Sequence, residues 1–473
     1  MFTHKIKKNK FELLLITIAF LISFAWADFN LKNFDNNKIN FNGKWFNQIA
    51  YHDLDANWRA GDEFRNRLKN GENFFEALPL YEKWFLPAVI VGAYYFMIDE
   101  EIYELKKNGQ KVIKTENSKF YLILFQIIFF YLSLIIFSKQ LKKKVNNFLY
   151  KTILIFLCLE PSILQWHSTL WTESIYLSLM LISFSIIIRK TSNPTLNFFL
   201  GLLFGLLFLQ RSVSILYIIP LIIYYVFLFR FKFKPYFFLV LGYMVIIILL
   251  GLNNYKKSEN FHILSKLHQN YSFYHYFAHI IYADTNNISP ESAKIIVDND
   301  EKDWILRNNL DLTNFKDYKK TIEYKNKIFL EIVLENPWFT LKYYSKKIIT
   351  MCIIHPLWTH YHFFVDKSDP EAKKNPKKYY HKNLTENIVY SLFIYFFVMI
   401  GFFSYLKNII YKKKISDFDS FLIFNIFSIA YFILISGFWG NPKYFAPCMI
   451  SVIFFFSIGL EKITKNVFKK KIN

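Results

Sequence analysis

The sequence has few cysteines. It also lacks linkers or repeats that would separate domains, and it lacks the nucleotide-binding motif of an ATP-driven protein. Its three cysteines, Cys158, Cys352 and Cys448, lie in hydrophobic stretches, so no disulfide framework or paired metal motif is visible. No nucleotide-binding loop with a glycine and lysine signature occurs, which disfavours an ATP-driven pump. Without repeats, Gly/Ser linkers or low-complexity tracts, the simplest description is one membrane domain over residues 1–473.

Apolar residues are abundant instead, and they fall in long runs. Of the 473 residues, 53% are hydrophobic and 21% are aromatic. A bilayer core of about 30 Å needs roughly 20 apolar residues in a helix, and several runs meet that length. The net charge of +22 comes from lysines at the ends of these runs and in long polar loops, so nucleic acid is disfavoured as a partner.

The apolar runs predict an all-α polytopic membrane protein with about ten transmembrane helices. The first run follows a cluster of lysines and resembles a secretory signal, but the later runs favour an uncleaved first helix. The predicted spans are residues 10–27, 119–138, 147–165, 173–188, 196–210, 213–229, 235–252, 387–405, 418–437 and 443–460.

The short basic loops predict the orientation of the chain. Four clusters fall on one side of the ten predicted spans: Lys139 to Lys144, Arg189 with Lys190, Arg230 to Lys234, and Lys412 to Lys414. The bias toward positive residues inside then puts both termini in the cytoplasm. Two long segments, 28–118 and 253–386, lie outside, and both contain short apolar patches that are typical of interfacial or re-entrant helices.

The first outer segment holds a group of acidic residues that could act in catalysis. The stretch YHDLDANWRAGDEFRNRLKNGENF contains Asp53, Asp55, Asp62 and Glu63, beside Trp58 and Arg65. In a helix, Asp55 and Asp62 would share a face because they are seven residues apart. A carboxylate above the membrane could accept the proton of an acceptor hydroxyl as a general base. The alternative is a solvated polar helix without a catalytic role.

Glu173 is a second candidate, since it lies at the outer mouth of a predicted span after a very short turn. Ionisable groups at such positions are costly and usually face a cavity or a partner. The alternative is a helix start capped by Thr172 or Ser168, with the acid in the first turn interacting favourably with the helix dipole.

Two predicted outer cations could bind a lipid phosphate. Arg211 is the only charge between two apolar runs, and its planar guanidinium matches phosphate oxygens. Lys443, with Tyr444 beside it, occupies a similar position before the last span. For both cations, the alternative is snorkelling to lipid headgroups.

Three histidines, His355, His360 and His362, lie in HPLWTHYHFF. Their spacing matches no zinc signature, and their aromatic neighbours are more typical of an interfacial belt. Stacking of these aromatics on a sugar ring is an alternative.

Four segments together carry a family resemblance: the acid-bearing first loop with PLYEKWFLPAVIVGAYY, then WTESIYLSLMLISFSIIIRK, GLLFGLLFLQRSVSILYIIPLIIYY and NPKYFAPCMISVIFFF. They resemble the membrane-spanning glycosyltransferases of the C class, which include protein O-mannosyltransferases and the aminoarabinose transferase of lipid A. The segment 253–386 matches only loosely, around LENPWFTLKYYSKK. The chain departs from the family where Ser212 follows Arg211 in place of proline, and where Lys443 replaces the arginine of an arginine-tyrosine pair.

The resemblance implies an enzyme of the bacterial inner membrane that transfers a sugar from a polyprenyl-phosphate donor to a lipid, polysaccharide or protein on the outer face. Asp55, or its neighbours Asp62 and Asp53, would take the role of the first-loop acid, with Asp55 slightly favoured. Glu173 would be the second acid, and Arg211 with Lys443 and Tyr444 would hold the phosphate. Whether the acids hold a divalent metal ion is left open.

Two other functions remain as alternatives. A transporter or flippase of lipid-linked glycans would use the charged groups to bind its cargo, and it would be expected to show matching halves and broken helices. No matching halves are visible in the sequence. A polysaccharide polymerase or ligase would place its key groups in the late outer segment, where His355 to His362 lie.

Overall fold

The structure is a computed structural model of the chain, and it is predominantly helical. It describes residues 10–30, 39–41, 44–46, 53–79, 85–105, 111–113, 117–168, 172–190, 192–229, 233–263, 274–312, 315–353, 376–411, 416–437 and 442–470.

The first part of the chain contains one long helix, several shorter ones and two small hairpins. The helices are α1 (Lys10–Asn30), α2 (Asp53–Lys69), α3 (Phe74–Ala77) and α4 (Phe85–Met97). The antiparallel hairpins pair β1 (Ile39–Phe41) with β2 (Lys44–Phe46), and β3 (Tyr103–Leu105) with β4 (Lys111–Ile113). The prediction of an all-α chain did not include these strands, whose aromatic and β-branched residues favour extended backbone.

The central bundle consists of helices joined by short turns. They are α5 (Asn117–Leu141), α6 (Asn147–Leu159), α7 (Pro161–Leu164), α8 (Thr172–Ile187), α9 (Pro194–Gln210), α10 (Ile218–Phe229) and α11 (Phe233–Ser258).

Later helices form part of segment 253–386, which the sequence predicts to lie outside, and the last part of the chain. They are α12 (His279–Thr285), α13 (Pro290–Arg307), α14 (Phe315–Glu335), α15 (Pro337–Ile353), α16 (Pro376–Tyr411), α17 (Asp417–Ser436) and α18 (Met449–Lys470).

Seven of the described helical segments are long and apolar enough to cross a membrane, or eight if the bent pair α6 and α7 forms one span. All ten predicted spans coincide with helices, but α8 and α9 have only 16 and 17 residues. These two are shorter than the roughly 20 residues that a span needs. The count of ten therefore stays a prediction, whereas a multi-pass chain of apolar helices agrees with the sequence. Helix α4 has 13 residues, fewer than a span needs, and its assignment as an interfacial or re-entrant helix stays a prediction.

Glycines allow neighbouring helices to approach closely. A methyl group added at Gly242 of α11 would lie 2.0 Å from the carbonyl oxygen of Phe198 in α9. Gly201 of α9 packs against Leu239 and Tyr243 of α11. Gly205, one turn later in α9, packs against Ile246, which lies further along α11. Because contact positions rise together in both helices, α9 and α11 run parallel, with their C-terminal ends at the same end of the bundle.

Ion pairs connect loops that are predicted to be cytoplasmic, and they lie at the end of the bundle opposite to the C-terminal ends of α9 and α11. Lys144, from the turn between α5 and α6, lies 2.6 Å from a carboxylate oxygen of Asp417, and Lys190 after α8 lies 3.8 Å from the other oxygen. Lys142 pairs with Glu12, near the start of α1. These contacts bring together loops that the charge pattern predicts to be on one side, although they do not identify the side.

Candidate functional site

The acid-bearing stretch forms helix α2. The helix covers Asp53, Asp55 and Asp62, so Asp55 and Asp62 lie on one face, as expected from their spacing. Asp62 is half-buried. The side chains of Asp53 and Asp55 lie outside the described residues, so their role as a general base stays a prediction.

Helix α2 is held by close packing on α4. The indole ring of Trp58 is fully buried and contacts the ring of Tyr95 edge-on, with 5.8 Å between ring centroids. Gly61 lies so close to α4 that a methyl group there would be 3.0 Å from the carbonyl oxygen of Ala88. Phe64 completes this buried face. The apolar face therefore fixes the helix, with Asp62 half-buried and Glu63 exposed.

Two ion pairs fix the C-terminal end of α2. The guanidinium of Arg67 binds both carboxylate oxygens of Glu72, through Nε at 3.0 and 2.9 Å and through Nη2 at 2.7 Å. The hydrogen bond from Arg67 lowers the pKa of the Glu72 carboxyl. Lys69 pairs with Asp99 beyond α4 and lowers the pKa of that carboxyl in the same way.

The segment after α2 contacts the last turns of α11. Asn253 donates from Nδ2 to the carbonyl oxygen of Pro79 at 3.1 Å, and Lys256 lies 3.9 Å from Glu76. Since α9 and α11 are parallel, this contact lies at the end of the bundle where α9 ends and Arg211 begins the next turn. The segment that follows α2 and Arg211 therefore occupy the same end of the bundle.

At this end, the structure brings Glu173 and Arg211 together. Arg211 Nη1 donates to Glu173 Oε1 at 2.9 Å, and the two side chains are only 3% and 1% exposed. The guanidinium lies 5.9 Å from the centre of the Tyr176 ring. Gln210 strengthens the junction, because its Nε2 donates to the carbonyl oxygen of Thr172 at 2.9 Å.

This arrangement joins the start of α8 to the end of α9. Removing two charges from water is costly, and their mutual attraction offsets that cost only when they are in close, hydrogen-bonded contact, as here. A phosphate bound to Arg211 would share the guanidinium with Glu173, which is possible because the group has five N–H donors. The pair can thus hold the turn in place, and catalytic or phosphate-binding roles for its members stay predictions.

Other predicted site residues lie where their side chains are not described. Lys443 and Tyr444 belong to the 3-10 helix Pro442–Cys448, and their side chains lie outside the described residues. His355, His360 and His362 lie outside them altogether. Within the part of the chain that the structure does describe, no three His, Cys, Asp or Glu side chains are grouped as metal ligands.

Two buried polar residues were not singled out from the sequence. Glu160 begins α7 at a 43° bend, and its Oε2 accepts a hydrogen bond from the Tyr390 hydroxyl at 3.0 Å. His167 is completely buried and forms a hydrogen bond through Nδ1 with the hydroxyl of Ser174 at 2.9 Å. The sequence signal for Glu160 is the Glu-Pro step inside the predicted span 147–165, which the structure breaks at that step.

Comparisons with known proteins add no assignment. No family model matches the chain, and no curated protein matches it significantly.

Proposed function

We propose that the chain is a membrane-embedded glycosyltransferase that moves a sugar from a polyprenyl-phosphate carrier to an acceptor on the outer face of a bacterial inner membrane. The observation that supports this proposal best is that the candidate acids and the candidate phosphate-binding arginine lie at one end of the bundle. The helix with three candidate acids and the Glu173–Arg211 pair lie at the same end of the apolar bundle. An acid and a cation near one membrane surface are what transfer from a lipid phosphate requires.

In the proposed reaction, an acceptor hydroxyl oxygen attacks the anomeric carbon of the sugar. The bond from that carbon to the phosphate oxygen breaks, and polyprenyl phosphate leaves with the electron pair. Asp55, or Asp62 or Asp53 in its place, takes the hydroxyl proton. Arg211 and Lys443 offset the charge that develops on the phosphate, an effect worth a few kcal/mol.

The proposed topology has ten spans with both termini in the cytoplasm. Its support is the gathering of basic loops at one end and the acidic helix at the other. Single cysteines at exposed Lys143 and Ser292, in a chain with its three native cysteines replaced by serine, test it. An impermeant maleimide added outside intact cells should label the cysteine at 292 only. Labelling of the cysteine at 143 instead would show that the orientation is the reverse of the proposed one.

The activity is tested with purified chain in nanodiscs, a labelled polyprenyl-phosphate sugar and extracted envelope acceptors. Asp55→Asn, Asp62→Asn, Glu173→Gln and Arg211→Ala are compared with Glu100→Gln, an exposed acid in the same outer segment. We expect wild type and Glu100→Gln to transfer the label, and Asp55→Asn or Asp62→Asn to lose about 100-fold or more.

Full transfer by all four site variants would reject the proposed site. In proteoliposomes, movement of label across the bilayer without a new covalent attachment would instead support a transporter or flippase of lipid-linked glycans. Loss of transfer only after substitution of His355, His360 or His362 would favour a polymerase or ligase.

A further inference from the structure

Segment 253–386 exposes a stripe of large apolar side chains. The stripe is formed by Leu330 and Leu334 of α14 and by Trp338 and Leu341 of α15, which are between 53% and 81% exposed. Folded chains rarely expose large apolar groups side by side in water, and where they do, the patch usually marks an interaction surface. All four residues lie outside the ten predicted spans, so the stripe is not the lipid-facing side of a predicted span.

The four residues share one face because α14 and α15 are nearly continuous. The two helices are separated only by Asn336, whose N–H donates to the carbonyl oxygen of Ile332 and whose carbonyl oxygen accepts the N–H of Thr340. Both bonds have the spacing of an α-helix. The apolar side chains follow one another at intervals of four, four and three residues, which places them along one side of a helix.

This face continues onto the apolar bundle. Further along α15, the hydroxyl of Tyr344 donates to the carbonyl oxygen of Leu434 in α17. One turn later, Ile348 packs against Gly437, where an added methyl group would lie 2.5 Å from its side chain. Leu434 is exposed, on a helix that is long and apolar enough to cross a membrane. The stripe is therefore continuous with a surface of the bundle that would contact lipid.

The contact of α15 with α17 lies at the end of the bundle that holds Arg211. Helix α17 begins at Asp417, which pairs with the basic loops, and it ends at Ser436. Near that end, the Tyr431 hydroxyl donates to the carbonyl oxygen of Val213, two residues after Arg211. The stripe thus begins beside the end of α17 that the proposed topology assigns to the outer membrane surface.

A charged edge borders the stripe along both helices. Lys327 and Glu331 of α14 are 3.9 Å apart, and Lys342 and Lys346 of α15 are exposed at four and eight residues after Trp338. Leucine and tryptophan on one face with lysines beside them are typical of helices that lie in the interface of a bilayer. Lysines at this depth are attracted to the phosphates of lipid headgroups.

We propose that the stripe lies in the outer leaflet and anchors helices α12 to α14 to the membrane beside α17. The other side of α15 supports this role, because the ring of Tyr343 contacts that of Phe277, just before α12, with 4.8 Å between centroids. A membrane contact of α15 would therefore also fix the helices that pack around Phe277. The inference requires a bundle that crosses a membrane, and it does not depend on the transferase proposal.

Quenching of a fluorophore by lipid-borne nitroxides tests the inference. Single cysteines replace Leu334, Leu306 or Leu434 in the full chain, with its three native cysteines changed to serine, and each is labelled with an NBD fluorophore. The labelled chains are placed in nanodiscs of phosphatidylcholine and phosphatidylglycerol, with or without lipid that has a nitroxide at carbon 5 of one acyl chain. Leu306→Cys is the matched control, since Leu306 is an equally exposed leucine of the same segment on α13, and Leu434→Cys gives the signal of a lipid-facing position.

We expect the label at 334 to be quenched at least about threefold more than the label at 306, because interfacial helices bury their apolar face about 5–10 Å into the boundary of headgroups and acyl chains. The double change Trp338→Glu/Leu341→Glu should reduce the quenching at 334 to the level at 306. Both side chains are exposed, so this variant should keep the fold and the quenching of the label at 434.

Equal quenching at 334 and 306 would overturn the inference, as would quenching at 334 that the two glutamates leave unchanged. A blue-shifted emission at 334 without nitroxide quenching, found only when two chains share a nanodisc, would also overturn it, because the stripe would then be covered by a second copy of the chain.

Discussion

Replacing Arg211 with methionine should destabilise the chain strongly, because it leaves the Glu173 carboxylate buried without its cation. The two groups are 2.9 Å apart and almost fully enclosed, so water cannot take the place of the lost partner. Breaking a buried pair from one side typically costs about 3–5 kcal/mol. Glu173→Gln should cost a similar amount, since it leaves the guanidinium without its carboxylate.

The double variant Glu173→Gln/Arg211→Met should be more stable than either single variant. With both charges removed, no desolvated charge remains, and replacing a buried pair by uncharged groups of similar volume is often close to neutral. The two losses should therefore be far from additive, as expected for residues in direct contact.

The free energy of unfolding is measured by titrating nanodisc-extracted protein with SDS in mixed micelles and following tryptophan fluorescence. Lys69→Met/Asp99→Asn, which removes a solvent-exposed pair, is the control and should change little. If the losses of the two single variants simply add in the double variant, Glu173 and Arg211 do not form the buried pair, and the junction of α8 with α9 must be held in another way.

Two further predictions concern helix packing and pH. Gly242→Ala should lower the free energy of unfolding by about 1–3 kcal/mol, because its methyl group would collide with the backbone of α9. The control Leu241→Ala, at a partly exposed position, should cost less. Equal losses for the two variants in the same SDS titration would contradict this prediction. The pKa of Glu72 is lowered by Arg67 from its ordinary value of 4.5, so their contact stabilises the fold above that pH and is lost as the pH falls through the lower folded-state pKa. Glu72→Gln should therefore lose less melting temperature than wild type on acidification, and equal losses would show that the contact does not matter.

Much of the helical architecture could be predicted because a bilayer imposes it. Backbone groups in hydrocarbon must be satisfied within the segment, so long apolar runs become helices. Seven of the described helical segments, or eight with the bent pair, are long and apolar enough to cross a membrane, and the loops that contain Lys144 and Lys190 are both paired with Asp417. The spacing of Asp55 and Asp62 likewise indicated a shared helix face, and α2 covers both.

The site was harder to predict because polar residues look alike in a sequence until their burial is known. Glu173 and Arg211 were each recognised as unusual, but their contact joins positions 38 residues apart and depends on how α8 packs against α9. Likewise, the sequence alone does not indicate that Arg65 and Arg67 differ in burial. Only the packing of α2 on α4 buries the first and leaves the second beside Glu72.

The sequence by itself determined that this is a multi-pass helical protein, since hydrophobic length and charge placement are local properties of the chain. The tertiary structure decided which charges pair with one another, and that the acidic helix and the Glu173–Arg211 pair share one end of the bundle. The physical reason is that the cost of a charge depends on the solvent and partners around it, and both are fixed only when distant segments pack.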